Sequence, residues 1–143
     1  MRTAILAFGA NKRGPWGAPE ETIRRAVGLL ARAGIATRCL SLLYTTAPVG
    51  RVSSQDRFVN AVGVFASRLG PRAMLLLLKR LERQAGRGVG VVGGPRSLDI
   101  DIVDVAGQSV GWKRGRRKGR LTLPHPEAHR RLFVLRPLLD VAP

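Results

Sequence analysis

The sequence has few of the residues that build disulfide frameworks and metal clusters, with one cysteine and two histidines. A single cysteine excludes a disulfide framework and a cysteine metal cluster. His125 and His129 cannot form a zinc site without other ligands. Cys39 lies in the strand-like stretch RCLSLLY, and we predict it to be a small core residue.

Acidic residues are also scarce, since 9 Asp and Glu stand against 25 Lys and Arg. The formal charge of +16 predicts attraction to polyanions: nucleic acid, phosphorylated metabolites or acidic membrane surfaces. Charge alone does not choose among these three classes.

Long apolar runs are missing as well, and none could span a membrane. The N-terminal stretch MRTAILAFGANKRG lacks the apolar region and cleavage site of a signal peptide, so we expect a cytoplasmic protein. Apolar residues make up 45% of the chain, which is enough for a core. The length of 143 residues predicts a single domain over residues 1–143.

Several common nucleotide-binding and hydrolase motifs are absent. No G-x-x-x-x-G-K-[ST] stretch exists, which excludes a P-loop, and protein-kinase, serine-hydrolase and zincin patterns are missing too. The stretch GVGVVG at residues 88–93 matches G-x-G-x-x-G, but it follows a predicted helix and precedes a predicted strand. A dinucleotide fingerprint has the opposite order, so this match is an accident of composition.

The hydrophobic pattern predicts the order β-α-β-β-α-β followed by a helical tail. Strands are expected over TAILAFG, ATRCLSLLYTT, RFVNAVGVFAS and RSLDIDIVDV. The first helix should begin near Pro19 and end near Gly34, and the second should cover RAMLLLLKRLERQAG. The pattern indicates an α+β fold, a ferredoxin-like sandwich of an antiparallel sheet with helices packed on it and a short helical C-terminal tail.

The fourth predicted strand carries most of the chemical information. Alternation points Leu98, Ile100 and Ile102 into the core and places Asp99 and Asp101 together on the opposite face, with Cα atoms about 7 Å apart. Such a pair either binds a hard cation such as Mg²⁺ or forms a solvated face paired with arginines. Arg96, just before the acids, favours a site for a polyphosphate and its metal. By the same alternation, Asp104 would lie on the face of Ile100 and Ile102, and we expect it to mark the end of the strand.

GGPRSLDIDI and LTLPHPEAHRRLFVLRPLLDVAP together resemble the 6-hydroxymethyl-7,8-dihydropterin pyrophosphokinase family. FGAN, YTTAPVG, FVNAV and LERQAGR match it in the same order, so the resemblance covers residues 3–143. It implies Mg²⁺-dependent transfer of pyrophosphate from ATP to 6-hydroxymethyl-7,8-dihydropterin in folate biosynthesis, with AMP as the second product. It also implies small-molecule substrates and a monomer, without nucleic acid or membrane as a partner.

The resemblance implies site residues of three kinds. The catalytic positions are Arg87, Arg96, Asp99 and Asp101, of which the two aspartates hold two Mg²⁺ ions. The ATP-binding positions are Glu82, Ile102, Arg120, Thr122, His125 and Arg131. The pterin-binding positions are Thr46, Val49, Phe58, Asn60 and Phe133, and the two aromatic rings sandwich the heterocycle. Stacking of a flat bicycle between rings and pairing of its edge with an amide fit these residue types.

Three departures from the family pattern affect these expectations. The segment before G-P-R lacks the family's tryptophan and has no positive side chain at residues 88–94, which predicts slower turnover or a different closing mechanism. The basic run at residues 113–120 could compensate. Pro126 follows His125 where the family commonly has an aromatic or polar residue. Relatives usually continue beyond LLDVAP, which should affect stability more than chemistry.

Two other classes of function stay open at this point. A relative without the closing segment could bind a pterin or nucleotide without efficient turnover, or act on a modified pterin. A basic ferredoxin-like sheet is also the plan of many RNA-binding modules, although the chain has only 7 aromatic residues and no RNP-type stretch.

Overall fold

The computed structural model describes residues 1–47, 56–88, 95–109 and 121–142. In chain order, the strands and helices are β1 (Arg2–Ala10), α1 (Pro19–Arg32), β2 (Ile35–Leu40), β3 (Tyr44–Thr46), β4 (Phe58–Ser67), α2 (Pro71–Gln84), β5 (Asp99–Val105) and α3 (Leu132–Val141). A 3₁₀ turn, Ala128–Arg130, precedes α3. The predicted βαββαβ order with a helical tail is confirmed.

The strands form an antiparallel sheet in the order β2-β4-β1-β5, and β3 extends the sheet along β4. This is the strand order of a ferredoxin-like sandwich, as the sequence predicts. The predicted second strand is divided into β2 and β3 by the residues around Ser41, whose hydroxyl accepts the N–H of Val62 at 2.9 Å. Strand β4 therefore pairs with both pieces.

The helices cover the two faces of the sheet. Helices α1 and α2 pack on one face, where the main core contains Leu6, Phe65, Ile23 and Leu78. Helix α3 packs on the opposite face, where Val134 meets Ala7, Val62 and Val103 in a smaller cluster. Because β1 lies in the middle of the sheet and is covered on both sides, its sequence is apolar almost throughout.

The helix boundaries follow local rules. Helix α1 begins with Pro19, has Glu20 and Glu21 in its first turn, and is followed by Gly34 at φ +87°, as the sequence predicts. Helix α2 begins with Pro71 and buries Met74, Leu78, Leu81 and Glu82 on one side. The described residues contain no helix that is long and apolar enough to cross a bilayer.

Two predictions from the sequence are wrong. Cys39 is exposed and not a core residue, because β2 is an edge strand whose register shifts beside it. Asp104 is not in phase with Ile100, because β5 contains a bulge: Ile102 pairs with Leu6 and Asp104 pairs with Ile5, which leaves Val103 without a partner. The bulge moves Asp104 to the face of Asp99 and Asp101.

Candidate active site

A pocket lies on the α3 side of the sheet, where the ends of β1, β4 and β5 meet. Its lining combines acidic, basic, aromatic and amide side chains from distant parts of the chain: Thr46, Phe58, Asn60, Arg96, Asp99, Asp101, Arg131 and Phe133, with Ala7, Phe8, Gly9 and Ala47. Eight of the residues predicted from the family resemblance therefore share one pocket.

Strand β5 directs its two aspartates into this pocket. Asp99 lies opposite Gly9 and Asp101 lies opposite Ala7 on β1. Ile100 and Ile102 point the other way and are 1% and 4% exposed in the main core. The alternation predicted from the sequence thus places both carboxylates on the pocket side.

Two arginines neutralise Asp99. Arg87 Nη1 donates to Asp99 Oδ1 at 2.7 Å, and Arg96 Nη1 donates to Asp99 Oδ2 at 2.9 Å. Burial alone would lower the pKa of Arg87, but the carboxylates of Asp99 and Glu82 outweigh burial and raise it. Pairing with arginines, which the sequence left open as the alternative to metal binding, is therefore found at Asp99.

Glu82 anchors this ion-pair network from the end of α2. The residue is 2% exposed, its Oε2 accepts from Arg87 Nη1 at 2.8 Å, and Lys79 Nζ lies 3.4 Å away. Its Oε1 accepts the backbone N–H of Ile100 at 3.0 Å. Glu82 thus binds the β5 backbone at Ile100, between the two aspartates, and also binds Arg87. Glu82 itself does not line the pocket.

Asp101 has a different electrostatic environment from Asp99. Desolvation is the largest effect and, together with the negative charge of Asp99, raises the pKa of Asp101 to about 6, although Arg131 acts in the opposite direction. Arg131 Nη1 lies 3.9 Å from Asp101 Oδ2, and its guanidinium lies 5.6 Å from the centre of the Phe133 ring. Arg131 therefore links the acidic side of the pocket to the aromatic side.

The aromatic side of the pocket contains the predicted pterin-binding residues that the structure describes. Phe58 and Asn60 project from β4, Thr46 from β3, and Phe133 from the first turn of α3. Asn60 is buried, and its amide nitrogen donates to the Thr46 hydroxyl. This bond holds the Asn60 amide beside β3 at the edge of the pocket.

Asn11 contributes to both sides of the site, and the reasoning from the sequence missed it. Its N–H donates to the Arg96 carbonyl at 2.9 Å, and its Oδ1 accepts the Arg96 N–H at 2.8 Å. Its amide nitrogen donates to the carbonyl of Asp56, just before β4, at 3.0 Å. A buried amide that fixes two chain segments is a positioning residue. Its only sequence signal was its place in FGAN.

Gly9 is the second residue that was missed. It lies between Asn60 on β4 and Asp99 on β5 in the pairing of the sheet. A Cβ atom at this position would lie 3.2 Å from Asn60 Oδ1 and 3.8 Å from Phe58 Cδ1. The absence of a side chain at Gly9 therefore leaves space between the aromatic and the acidic sides of the pocket.

The remaining predicted residues lie around the pocket or outside the described residues. Thr122 is buried and Ile102 belongs to the main core, so neither lines the pocket. The N–H of His125 donates to the carbonyl of Val103 at 2.7 Å, which attaches the C-terminal segment to the bulge of β5. Val49, Arg120, the basic run at 113–120 and residues 89–94 lie outside the described residues.

The donor atoms of the pocket fit magnesium. Mg²⁺ binds through one or two carboxylates and completes its octahedron with water and substrate phosphate, which matches Asp99 and Asp101 beside a cavity. Zn²⁺ would require a nitrogen- or sulfur-rich set. Among residues 1–47, 56–88, 95–109 and 121–142, no group of three His, Cys, Asp or Glu side chains is arranged to hold a metal ion.

Comparison with known proteins identifies the family of the chain. The sequence model of the family described as 7,8-dihydro-6-hydroxymethylpterin-pyrophosphokinase matches residues 5–143. The chain is 35% identical over 145 residues to the 2-amino-4-hydroxy-6-hydroxymethyldihydropteridine pyrophosphokinase of Pseudomonas aeruginosa, covering 100% of this chain and 82% of that protein. It is 33% identical over 139 residues to the protein of the same name in Bacillus subtilis, covering 96% and 77%.

A longer relative has additional parts. The chain is 37% identical over 137 residues to the mitochondrial folate synthesis bifunctional protein of Arabidopsis thaliana, covering 96% of this chain but 23% of that protein. It thus spans about a quarter of the plant protein's length. The match of the family over residues 5–143 confirms the resemblance found in the sequence, and the chain belongs to the 7,8-dihydro-6-hydroxymethylpterin-pyrophosphokinase family.

Proposed function

We propose that the protein transfers a pyrophosphoryl group from ATP to 6-hydroxymethyl-7,8-dihydropterin. In this reaction the pterin hydroxymethyl oxygen bonds to the β-phosphorus, the bond from that phosphorus to the α,β-bridging oxygen breaks, and AMP leaves. The hydroxyl proton passes to solvent. The proposal is supported above all by one pocket that combines two aromatic rings and a buried amide with two carboxylates and two arginines.

The aromatic side of the pocket is suited to a flat heterocycle. Phe58 and Phe133 would stack on the two faces of the pterin, which contributes about 1–3 kcal/mol per contact by analogy with base stacking. Asn60, oriented by Thr46, would pair with the donor and acceptor groups at the pterin edge. The resemblance adds Val49 to this side.

The charged side of the pocket is suited to a triphosphate. Asp99 and Asp101 would hold magnesium, two ions by family resemblance, whose chemistry is to offset negative charge on the phosphates. Arg87 and Arg96 would donate to phosphate oxygens, and Arg131 would add positive charge between the two substrates. Pyrophosphoryl transfer depends mainly on such positioning and charge neutralisation.

The other nucleotide contacts are predictions from the resemblance: Glu82, Ile102, Arg120, Thr122 and His125. Of these, Glu82 and Ile102 are better suited to indirect roles, since Glu82 is bonded to Arg87 and Ile100 and Ile102 is buried in the main core. We also keep a single domain, a cytoplasmic location and a monomeric state as predictions.

The direct test is to incubate the protein with ATP, Mg²⁺ and the hydroxymethyl-dihydropterin and to measure AMP and pterin diphosphate. Asp99→Asn and Asp101→Asn should abolish both products without loss of the folded state. Asp104→Asn is the matched control, because Asp104 lies on the same strand but does not line the pocket. AMP formation that is unchanged in the Asp99 and Asp101 variants would contradict the proposal.

A second candidate is binding without efficient turnover, favoured by the absence of positive side chains from residue 88 to residue 94. Pterin binding in the presence of a nucleotide analogue, without AMP formation from ATP, would support this alternative. An RNA-binding function is less favoured, because α3 covers the sheet face that such modules present to RNA.

A further inference from the structure

We infer that Arg87 and Arg96 act as exchangeable counter-ions of Asp99, which bind its carboxylate and transfer to phosphate oxygens when a nucleotide binds. A divalent cation would then bind well only together with the nucleotide. This inference deepens the proposed function and rests on it, since it concerns how the same pocket receives its metal-bound substrate.

The geometry shows that Asp99 is occupied on both oxygen atoms. Arg87 donates to Oδ1 and Arg96 donates to Oδ2, each at a distance typical of a strong charge-assisted hydrogen bond. The Asp99 side chain is 21% exposed, whereas the arginine side chains are 31% and 32% exposed. The guanidinium groups are thus somewhat more exposed to solvent than the carboxylate that they contact, which is fixed on β5.

The local balance of charge disfavours binding of a cation without a nucleotide. Around the three carboxylates of Glu82, Asp99 and Asp101, the described residues include four cations: Lys79, Arg87, Arg96 and Arg131. An entering divalent ion would have to displace guanidinium N–H groups from Asp99 and remain close to their charges. Both effects weaken its binding.

A triphosphate changes this balance. Its oxygens accept the same guanidinium N–H groups in the same geometry, and its negative charges offset those of the arginines. The carboxylate of Asp99 is then released for a cation. Because binding linkage is reciprocal, the cation must strengthen nucleotide binding by the same factor by which the nucleotide strengthens cation binding.

The inference predicts effects of opposite sign from one substitution. Arg87→Gln and Arg96→Gln each remove a competitor of the cation, so Mn²⁺ alone should bind about five-fold or more tightly, the lower end of a typical coupling. The same variants should weaken binding of a non-hydrolysable ATP analogue, because a phosphate ligand is lost. A general loss of structure would weaken both.

The experiment titrates metal-depleted protein with Mn²⁺, with free Mn²⁺ followed by electron paramagnetic resonance, in the absence and presence of an α,β-methylene ATP analogue. A mixture without protein corrects for Mn²⁺ bound by the analogue itself. Wild type should bind Mn²⁺ weakly alone and at least about ten-fold more tightly with the analogue. Arg87→Lys, which keeps the charge, should resemble wild type, and adding Asp99→Asn to Arg87→Gln should remove the gained affinity.

Arg83→Gln provides the matched control, since Arg83 is exposed in the last turn of α2, shortly before Arg87 in the chain, and carries the same charge. It should leave Mn²⁺ binding unchanged. The inference is overturned if both glutamine variants bind Mn²⁺ alone no better than wild type, or if the analogue does not improve Mn²⁺ binding to wild type. The Mn²⁺ titration contains no pterin, so it does not depend on the transfer reaction. If Mn²⁺ binding depends on the nucleotide but the separate assay detects no AMP, the proposed transfer is contradicted and this inference stands.

Discussion

Replacing Glu82 by glutamine tests whether this buried carboxylate supports the site through other residues. The change keeps the size of the side chain and one oxygen that can accept the Ile100 N–H. It replaces the second oxygen, which accepts from Arg87, by an amide nitrogen that also donates. Glu82→Gln should therefore remove one of the two carboxylates that hold Arg87, which keeps its bond to Asp99, while the backbone of β5 stays attached to α2.

The magnitude follows from the contacts. Hydrogen bonds to charged partners contribute about 1.5–3 kcal/mol, and Arg87 can be partly rehydrated after the change, so Glu82→Gln should lower the free energy of unfolding by about 1.5–2 kcal/mol. Glu82→Leu also removes the acceptor of the Ile100 N–H, which is buried, and this adds about 1–3 kcal/mol. The second variant should therefore be distinctly less stable than the first.

Urea denaturation followed by far-ultraviolet circular dichroism, in metal-free buffer without nucleotide, measures both values. Glu20→Gln is the control, because Glu20 is exposed in the first turn of α1 and its charge contributes no more than about 0.3–1 kcal/mol through the helix dipole. A double-mutant cycle with Arg87→Gln should give a coupling of about 1 kcal/mol or more. Unchanged stability of Glu82→Gln combined with a raised KM for ATP would refute this reasoning and assign Glu82 to the nucleotide.

Three further changes test other features of the site. Asn11→Ala should raise the KM for ATP and for the pterin together, because Asn11 holds a segment on each side of the pocket, and steady-state kinetics in which only one KM rises would argue against this role. Gly9→Val should weaken pterin binding about ten-fold or more, a loss of about 1.4 kcal/mol, because its side chain would enter the pocket near Asn60. Gly28→Ala, with no atom near its added methyl group, should leave calorimetric binding unchanged, and equal effects of both changes would contradict the prediction. Burial raises the pKa of Asp101 to about 6, so the stability from its protonated form is present below the ordinary value of 3.8 and is lost as pH rises through about 6. Asp101→Asn should therefore make the unfolding midpoint less dependent on pH in this range in metal-free buffer, and an unchanged pH profile would show that the carboxyl is not perturbed.

The features that followed from the sequence are those set by local geometry. Alternation along a strand requires no knowledge of the partner strand, so the burial of Ile100 and the pocket position of Asp99 and Asp101 were predictable. Helix α1 was predictable for the same reason, since its proline, acidic first turn and following glycine lie within the helix or next to it.

The features that could not be predicted from the sequence depend on residues far away in the chain. Asn11 bonds to residues 45 and 85 positions away, and no local pattern identifies an asparagine as such a link. The bulge at Val103 exists only relative to the register with β1, so the true side of Asp104 could not be read from β5 alone. The burial of Glu82 could not be predicted from its own helix, because the strand that it contacts begins 17 residues later.

The distribution of charge explains how such a basic protein can still contain an acidic site. A net charge of +16 attracts every anion, which raises the rate of encounter with nucleotides but does not distinguish them from other phosphates. Three of the nine acidic residues, Glu82, Asp99 and Asp101, meet beside one pocket, where arginines compensate their charge. An anion without a metal can reach these arginines but leaves Asp99 and Asp101 repelling each other. Under the proposed metal binding, an anion that brings a cation would satisfy both the arginines and the aspartates, so we expect selectivity to arise from these few carboxylates and not from the overall charge.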